Sequence, residues 1–291
     1  MVSASLIDIL LCPDCYCSLS DKNSNLKCNK CKNEISIIDG IPRFYKVSMD
    51  RLIDYDAVKS MNPANWTDWR KYNYQYFEKN LHNVDKSTLI CDVGAGTQPF
   101  AKLFSQFNTY KVDFVPYKGI DIVTDLNKPL PIQDNVFDVI VMSNLIEHIP
   151  EPLALLKESN RILKQGGKII ITVPFYIKIH QAPYDFLRYT EFMLERLLNN
   201  EESFTNVEIT KIGNLIDIYF TLSKNMWKLL SKTRNPDNYD LYNRGYNLVL
   251  KVFKGIHLLI YSIMIKASGI DKHHLDEIGY PWGYGCVAYK K

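Results

Sequence analysis

The order of apolar and polar positions is most regular from residue 87 onward. Runs rich in β-branched residues predict strands, and these are "TLICDVG", "TYKVDF", "FDVIVMSN" and "KIIITVPF". Between them, "PFAKLFSQF" and "PEPLALLKESNRIL" carry apolar residues at helical spacing and predict helices, while "KQGG" predicts a turn. Strands that alternate with amphipathic helices are typical of a parallel sheet covered by helices. The pattern therefore predicts an α/β fold with a mostly parallel sheet.

Other segments lie outside this alternation. Residues 46–86 predict a helical linker that packs on the next domain or covers a ligand site. The residues at helical spacing in this linker are Trp66, Trp69, Asn73, Tyr76 and Phe77. A mainly helical insertion is expected at about 215–275, after which "YGCVAYKK" predicts an edge strand. We thus expect three parts, at 1–45, 46–86 and 87–291.

Composition narrows the class of protein. The 291 residues include 35 Lys and Arg against 32 Asp and Glu, and a net charge of +3 gives no strong case for nucleic-acid binding. The start, "MVSASLIDILLCPDC", lacks the basic region of a secretory signal. The longest uncharged apolar run, "GIHLLIYSIMI", is far short of the roughly 20 residues that span a bilayer. A cytoplasmic protein is expected.

Four cysteines near the N-terminus have the spacing of a metal site. Cys12 and Cys15 form one C-x-x-C pair, and Cys28 and Cys31 form a second. In a chain without an export signal, paired cysteines indicate metal more often than disulfides. Two such pairs complete a tetrahedral set of sulfur ligands that suits Zn²⁺, and four thiolates leave no open position, so that the zinc is structural. Reduced or redox-active thiols are the alternative, and Cys17 is a spare thiol that could compete.

The same segment resembles a known module. The run "CPDC…LKCNKCKNEISIIDGIPRF", including its closing "DGIPRF", resembles the small zinc ribbons of the Trm112-like group. The resemblance covers about 35 residues, a length at which a folded segment needs a metal ion or disulfides for stability.

The stretch "CDVGAGTQPF" follows a predicted strand and opens a helix. Dinucleotide-binding sites have the motif G-x-G-x-x-G. Here Gly94 and Gly96 occupy the first two glycine positions, and Pro99 occupies the third. Proline suits a first helical turn but removes an amide that a phosphate could use. A ligand without a pyrophosphate would not need that amide. The turn therefore favours S-adenosylmethionine over NAD.

Three acids end successive predicted strands. Asp92 precedes the glycine turn, where a carboxylate can meet a positive amino group, and Asp113 ends the second strand, where an acid can bind ribose hydroxyls. Asp125 can accept from an adenine amino group while Leu126 covers the ring. Each acid alone could equally be a cap or turn residue, but their repetition at strand ends favours a binding site.

The chain from "LICDVGAGTQPF" through "FDVIVMSNLIEHIPEPLALLKESNRILKQGGKIIITVPF" resembles a class I S-adenosylmethionine-dependent methyltransferase of the type 11-like group, over residues 87–214. The resemblance implies a Rossmann-like sheet with an antiparallel terminal strand, here "YPWGYGCVAYKK". One departure from the group is "KQGG", where "KPGG" is usual. The cofactor-binding residues that it implies are Asp92, Gly94, Ala95, Gly96, Asp113, Asp125, Leu126 and Asn144.

Candidates for the chemistry follow two strands whose carboxyl ends should meet, because ligands bind there in open α/β sheets. Glu147 and His148 lie in "NLIEHI", and His180 lies in "VPFYIKIHQAPYDFLRYT". His180 is the preferred general base for a hydroxyl acceptor, since imidazole titrates near neutral pH. The alternatives are a packing or hydrogen-bonding role for either histidine and a capping role for Glu147. An amine acceptor needs no dedicated base.

The second loop also supplies candidate substrate contacts. Tyr184, Asp185 and Arg188 belong to the "VPF…H…P.D..RYT" segment of the resembled group, whose members are often encoded among glycan or natural-product biosynthesis genes. Arg188 could hold a substrate phosphate or carboxylate. Since Asp185 and Arg188 are three residues apart, an ion pair across a helical turn is the structural alternative.

The insertion contains one amphipathic segment, residues 248–266, with Lys251, Lys254, Ser262 and Lys266 on one side and apolar residues opposite. This pattern predicts a helix that packs on its own domain, or else one that caps the substrate or lies on the inner face of the membrane.

Three functions are therefore weighed. The first is a methyltransferase, predicted to be an O-methyltransferase, that acts on a small molecule, a sugar or a lipid-linked glycan or natural-product intermediate. The second is an rRNA or tRNA methyltransferase whose ribbon contacts RNA, although the ribbon has no aromatic residues interleaved with its lysines. The third is a non-catalytic scaffold that binds S-adenosylmethionine and recruits partners.

Overall fold

The computed structural model describes residues 2–22, 25–45, 66–199, 204–232, 241–269 and 279–291. Residues 46–65 of the predicted linker lie outside these ranges. The helices are α1 (Ala4–Ile9), α2 (Asp68–Leu81), α3 (Ala101–Phe104), α4 (Pro152–Ile162), α5 (Glu191–Leu198), α6 (Leu215–Lys232) and α7 (Leu241–Ser268). The strands are β1 (Leu19–Lys22), β2 (Asn25–Cys28), β3 (Glu34–Ile38), β4 (Ile41–Arg43), β5 (Leu89–Val93), β6 (Asn108–Asp113), β7 (Ile122–Val123), β8 (Phe137–Ser143), β9 (Leu163–Pro174), β10 (Phe204–Ile212) and β11 (Gly283–Lys290).

The described strands form one sheet in the order β1-β2-β3-β4-β7-β6-β5-β8-β9-β11-β10. The five central strands, from β7 to β9, are parallel to their neighbours, and β11 is antiparallel to β9. This arrangement confirms the predicted mostly parallel α/β sheet with an antiparallel terminal strand. Successive connections leave β5 toward β6 and β8 toward β9, so that the direction of winding reverses between β5 and β8. Ligands of open α/β sheets bind at such a reversal, outside the carboxyl ends of the strands.

The prediction of an edge strand at the C-terminus is wrong. Strand β11 lies between β9 and β10, and β10 is the outer strand. Its residues are buried continuously from Gly283 to Ala288. Such a run is expected of a strand that is covered on both faces, whereas an edge strand normally alternates. The apolar run "YGCVAY" therefore marks an interior position.

The segment "KQGG", predicted as a turn, lies within strand β9. Strand β9 begins at Leu163, directly after α4, and its pairing with β8 shifts so that Leu163 faces Phe137 and Lys168 faces Val139. The intervening residues form a bulge rather than a free turn. Gly166 has φ +73°, a conformation that glycine adopts without steric cost.

The cysteine-rich ribbon, strands β1–β4 with α1, is continuous with the main sheet. Strand β4 pairs in parallel with β7 at Arg43 and Val123, and the amide of Phe44 donates to the Val123 carbonyl at 2.9 Å. On the same side, the Leu11 amide donates to the Pro131 carbonyl at 3.0 Å. Buried ribbon residues belong to the same apolar core as those of the central strands. Loss of the ribbon's structure would therefore expose core residues of the main sheet.

Helix α2 buries the aromatic face predicted from its spacing. Trp69, Tyr76 and Phe77 are buried, and the ring of Phe77 lies 5.8 Å from that of Phe100 and 5.6 Å from that of Phe104, centroid to centroid. The indole of Trp69 instead reaches the loop after β8. Helix α2 thus covers the glycine turn region and one strand-end loop.

The contacts divide the chain into two compact units, residues 1–210 with 283–291, and residues 211–282. Within the second unit, the rings of Tyr219 on α6 and Tyr261 on α7 are stacked 3.7 Å apart, and the Tyr219 hydroxyl bonds His257. The helices of the second unit therefore pack through aromatic side chains. Among the described helices, none combines the length and apolarity that crossing a membrane requires.

Candidate functional site

The glycine turn after β5 is shaped by positive backbone angles. Gly94 has φ +73° and Gly96 has φ +53°. A Cβ on Gly94 would lie only 2.6 Å from Cδ1 of Leu145, which belongs to the loop after β8. The Gly94 amide donates to the Val112 carbonyl at 2.8 Å. The turn is therefore pressed between neighbouring strand ends, and both its conformation and its packing require glycine at position 94.

Asp113 ties two of these strand-end loops together. Its Oδ2 accepts from the Gly96 amide and its Oδ1 accepts from the Val115 amide, each at 2.8 Å. Burial raises the pKa of this carboxyl to about 6, although the two amides oppose the change. Each oxygen keeps a lone pair that could accept from a ribose hydroxyl. The ribose role of Asp113 stays a prediction.

Asp92 is a buried carboxyl inside β5. Burial raises its pKa to about 7, and the nearby charge of Asp113 acts in the same direction, while Lys111 opposes both. A cationic group placed beside Asp92 would stabilise the charged carboxylate that burial disfavours. Contact of Asp92 with the amino group of the methionine part of the cofactor stays a prediction.

The buried carboxyl predicts a pH-dependent stability of the cofactor-free protein. A folded pKa of about 7, above the ordinary 3.8, means that the folded state prefers protonated Asp92. Its contribution is complete below about pH 4 and is lost as the pH rises toward 7. We expect Asp92→Asn to remove this loss, so that the variant gains up to about 4 kcal/mol over the natural protein between pH 4 and pH 8. Denaturant unfolding at both pH values measures this difference in the free energy of unfolding.

Asp21→Asn is the control for this prediction, because Asp21 is an exposed carboxylate on β1. Its difference from the natural protein should be the same at both pH values. A pH-independent difference for Asp92→Asn as well would show that burial does not raise the pKa of Asp92 in the folded protein.

A cavity of about 310 Å³ lies at the carboxyl ends of the parallel strands. It brings together residues that the sequence assigned to different roles, since Asp125, Leu126, His148 and Tyr184 all line it. The remaining lining residues are Phe114, Asn127, Leu145, Ile149, Pro150, Gln181, Ala182, Pro183 and Phe186. Oδ1 of Asp125 accepts from the amide and side chain of Asn127, both at 3.0 Å.

Of the predicted cofactor residues, Asp125 and Leu126 line the cavity, whereas Asp92, Asp113, Asn144 and residues 94–96 of the glycine turn do not. Asn144 accepts through its Oδ1 from the indole Nε1 of Trp69 at 2.9 Å. Its φ of +51° lies in the left-handed region that asparagine tolerates. Asn144 therefore fixes the start of the loop after β8 against helix α2. Its cofactor contact stays a prediction.

The three predicted catalytic residues lie together. Glu147 and His148 form a 3₁₀ turn after β8, and His180 comes from the loop after β9. The His148 and His180 rings are 4.8 Å apart, centroid to centroid. Oε1 of Glu147 lies 3.7 Å from Nε2 of His148 and 3.9 Å from Nε2 of His180. Burial raises the pKa of Glu147 to about 8 and lowers that of His148.

Asp185 and Arg188 form an ion pair within the loop after β9. The segment is not helical, so that the pair closes a loop rather than a helical turn. Asp185 also accepts from the His180 amide at 2.8 Å, and Arg188 donates to the Leu187 carbonyl at 2.8 Å. Arg188 holds the pKa of Asp185 well below its usual range. The pair therefore shapes the loop that carries His180, while a substrate contact of Arg188 stays a prediction.

The ribbon cysteines fit a tetrahedral zinc site. The four sulfurs, from Cys12, Cys15, Cys28 and Cys31, all lie within 4.8 Å of one another, and two pairs are 3.4 and 3.5 Å apart. Edges of this size suit sulfurs at about 2.3 Å from Zn²⁺. Burial alone would raise the pKa of Cys28, but amides of Cys31 and Lys30 donate to its sulfur and bring the pKa to about 6. The Cys28 sulfur is thus set up to bind as a thiolate, whereas burial raises the pKa of the Cys12 thiol to about 12.

Several residues of the site were missed in the sequence. Phe114 and Gln181 each directly follow a residue that was selected, and both line the cavity. Gln98 was also missed: it is buried, has φ +55° and donates from Nε2 to the Lys118 carbonyl at 2.7 Å. In the sequence, these residues are marked only by lying next to a strand end or a glycine turn, which is a weak indication of a role in the site.

Comparison with known proteins agrees with this architecture. Residues 66–205 match the sequence profile of the Methyltransf_23 family, described as a methyltransferase domain. Demethylmenaquinone methyltransferase of Anoxybacillus flavithermus is 28% identical over 129 residues, which are 37% of this chain and 54% of that protein. A probable tRNA methyltransferase 9B of Mus musculus is 26% identical over 118 residues, 37% of this chain and 26% of that protein.

Among solved structures, a SAM-dependent methyltransferase from Archaeoglobus fulgidus aligns with a TM-score of 0.45 at 16% identity, over 76% of this chain and 94% of that one. The chain spans less than two thirds of the length of the two curated relatives above. The profile match, the order of strands in the sheet and the glycine turn all indicate a methyltransferase domain. Residues 66–205 therefore form a methyltransferase domain.

Proposed function

We propose that this protein transfers the methyl group of S-adenosylmethionine to a hydroxyl oxygen of a small molecule, a sugar or a lipid-linked glycan intermediate. The cavity at the strand ends carries the proposal. It joins the predicted adenine contacts, Asp125 and Leu126, to His148 and Tyr184 of the predicted catalytic and substrate loops. A bound cofactor would supply an electrophilic methyl group on a sulfonium.

The residues of the chain would bind, orient and deprotonate. Asp92 would balance the cofactor's amino group, while Asp113 and Asp125 would accept from its ribose and adenine. His180 would take the acceptor's proton. Its Nδ1 lies 3.2 Å from Oδ2 of Asp185, which leaves Nε2 as the basic nitrogen of the neutral ring. Positioning by these groups and proton removal are what an in-line displacement at a methyl carbon needs.

The function is tested by calorimetry and by methyl transfer. We expect the full chain to bind S-adenosylmethionine and not NAD, and to move label from the methyl group into a glycan, a nucleotide-sugar or another small acceptor. Transfer into rRNA or tRNA with salt-sensitive RNA binding would favour an RNA methyltransferase instead. Cofactor binding without transfer to any acceptor would favour the scaffold, and failure to bind the cofactor would contradict every methyltransferase assignment.

His180→Ala separates binding from proton removal. With a hydroxyl acceptor we expect the cofactor Kd to change little, whereas kcat falls by about 10²- to 10⁴-fold, the usual contribution of a general base. His82→Ala, at an exposed histidine on the surface, is the matched control and should retain full turnover. Unchanged kcat in His180→Ala would remove this residue from the chemistry.

We infer further that helix α7 contacts an anionic membrane surface. Its side chains Phe253, Ile256, Ile260 and Ile263 are exposed, and Lys251 is exposed as well. Exposed apolar residues beside cations are typical of interfacial helices.

Sedimentation with anionic vesicles tests this contact. The full chain should sediment with the vesicles, and the double variant Phe253→Asp, Ile260→Asp should remain in the supernatant. The control is Phe192→Asp, since Phe192 is an exposed aromatic residue in the other compact unit. This variant should sediment like the natural protein. Equal sedimentation of the double variant would contradict the inference.

A further inference from the structure

The cluster of Glu147, His148 and His180 contains buried polar atoms without hydrogen-bond partners. Glu147 has no exposed surface. Neither of its carboxyl oxygens has a partner among the described residues, and the same holds for Nε2 of His148. Leaving such a group unpaired costs about 1–3 kcal/mol or more, so that each case calls for a missing partner. Oε1 of Glu147 lies near the Nε2 atoms of both His148 and His180.

The hydrogen bonds on the outer side of each imidazole fix which nitrogen faces the cluster. Nδ1 of His148 lies 2.6 Å from the Tyr184 carbonyl oxygen, and a carbonyl can only accept. Nδ1 of His180 lies 3.2 Å from Oδ2 of Asp185 and 3.3 Å from the Lys178 carbonyl. Both Nδ1 atoms are therefore protonated, and in the neutral rings both Nε2 atoms carry lone pairs toward Glu147.

A shared proton does not satisfy this arrangement. The separations of 3.7 and 3.9 Å between Oε1 of Glu147 and the two Nε2 atoms exceed the hydrogen-bond range. Ligand atoms held at about 2.0–2.2 Å from one metal ion, by contrast, lie some 3–4 Å apart. The described structure places one donor atom of each residue within 4.8 Å of the others.

We propose that Glu147, His148 and His180 bind a divalent first-row transition-metal ion. Two imidazoles and one carboxylate suit such ions and leave coordination positions open. The outer contacts match the usual support of metal-bound histidines, a backbone carbonyl for His148 and a carboxylate for His180. Arg188 does not compete with the cation, because its guanidinium is paired with Asp185.

The site has access to the cavity. His148 is one of its lining residues, and the side chain of His180 is 28% exposed. An acceptor in the cavity could therefore complete the coordination of the ion. With the ion bound, Nε2 of His180 would be a ligand and could not act as the general base proposed above, so that the two roles of His180 are alternatives. The inference concerns binding of the ion and does not depend on the acceptor or on methyl transfer.

A Co²⁺ titration of the full chain tests it, after zinc analysis has shown that the ribbon holds one zinc. Calorimetry without cofactor or acceptor should find one further equivalent, with the weak visible absorption of nitrogen and oxygen ligands. Both His180→Ala and Glu147→Gln should weaken binding at least tenfold, while His82→Ala should bind like the natural protein. Circular dichroism establishes that each variant is folded.

Two results would overturn the proposal. One is the lack of a further Co²⁺ equivalent in the natural protein. The other is equal affinity in folded His180→Ala and Glu147→Gln. Because neither measurement uses the cofactor, failure of methyl transfer and failure of this site would be seen separately.

Discussion

Cys28→Ala is expected to release one equivalent of zinc per chain and to unfold the ribbon. Its sulfur is buried among the four thiols and accepts from the amides of Lys30 and Cys31, each at 3.4 Å. Structural zinc contributes about 10 kcal/mol or more of binding free energy in small domains, and that energy stabilises the fold. Zinc analysis and the thermal midpoint of unfolding measure the loss.

The effect should reach beyond the ribbon, because β4 pairs with β7 and the two parts share one apolar core. Cys17→Ala is the matched control: Cys17 lies in the same loop, and its thiol donates to the Cys15 carbonyl at 3.5 Å. This variant should keep its zinc and its thermal midpoint. Retention of zinc by Cys28→Ala, or its loss from Cys17→Ala, would contradict the assignment of the ligands.

Gly283→Ala is expected to destabilise the main sheet by about 3 kcal/mol or more. A Cβ at this position would overlap the Trp69 ring and the Val173 carbonyl oxygen. Neither can move easily. The carbonyl belongs to β9, which pairs with β11, and the Trp69 indole is hydrogen-bonded to Asn144. Denaturant unfolding measures the change, and a loss of soluble protein would be its extreme form.

Gly255→Ala is the control for this prediction, since a Cβ at that position in α7 meets no atom within 4 Å. Alanine should stabilise the exposed helix by up to about 1 kcal/mol. Unfolding of Gly283→Ala at the same denaturant concentration as the natural protein would show that helix α2 can move away from β11.

Local sequence patterns were sufficient to predict those segments whose structure depends on residues close to them in the chain. The strand β8 is recognised from "FDVIVMSN" because it is buried on both faces. Helix α4 is recognised from apolar spacing, since one face packs on the sheet. The glycines at 94 and 96 mark a turn because their positive φ values exclude most side chains. The prediction of S-adenosylmethionine rather than NAD came from Pro99, at the third position of the glycine motif.

The same reasoning did not place β11. Its apolar run was assigned to an edge, yet the strand is inserted between β9 and β10. Which sheet edge a terminal strand joins depends on the edges that other segments leave open, and no pattern within the strand contains that information. The bulge at Gly166 was missed for a related reason, because it depends on the register between β8 and β9.

The sequence by itself determined the order of the central strands and helices, the pairing of the four cysteines in two C-x-x-C motifs and the glycine turn, because each depends on residues close together in the chain. Only the tertiary structure decided that Trp69 would hold Asn144, 75 residues away, and that His180 would face Glu147 and His148. These contacts form where loops from different strands meet at one edge of the sheet. Their geometry follows from strand pairing, which local hydrophobic periodicity does not specify.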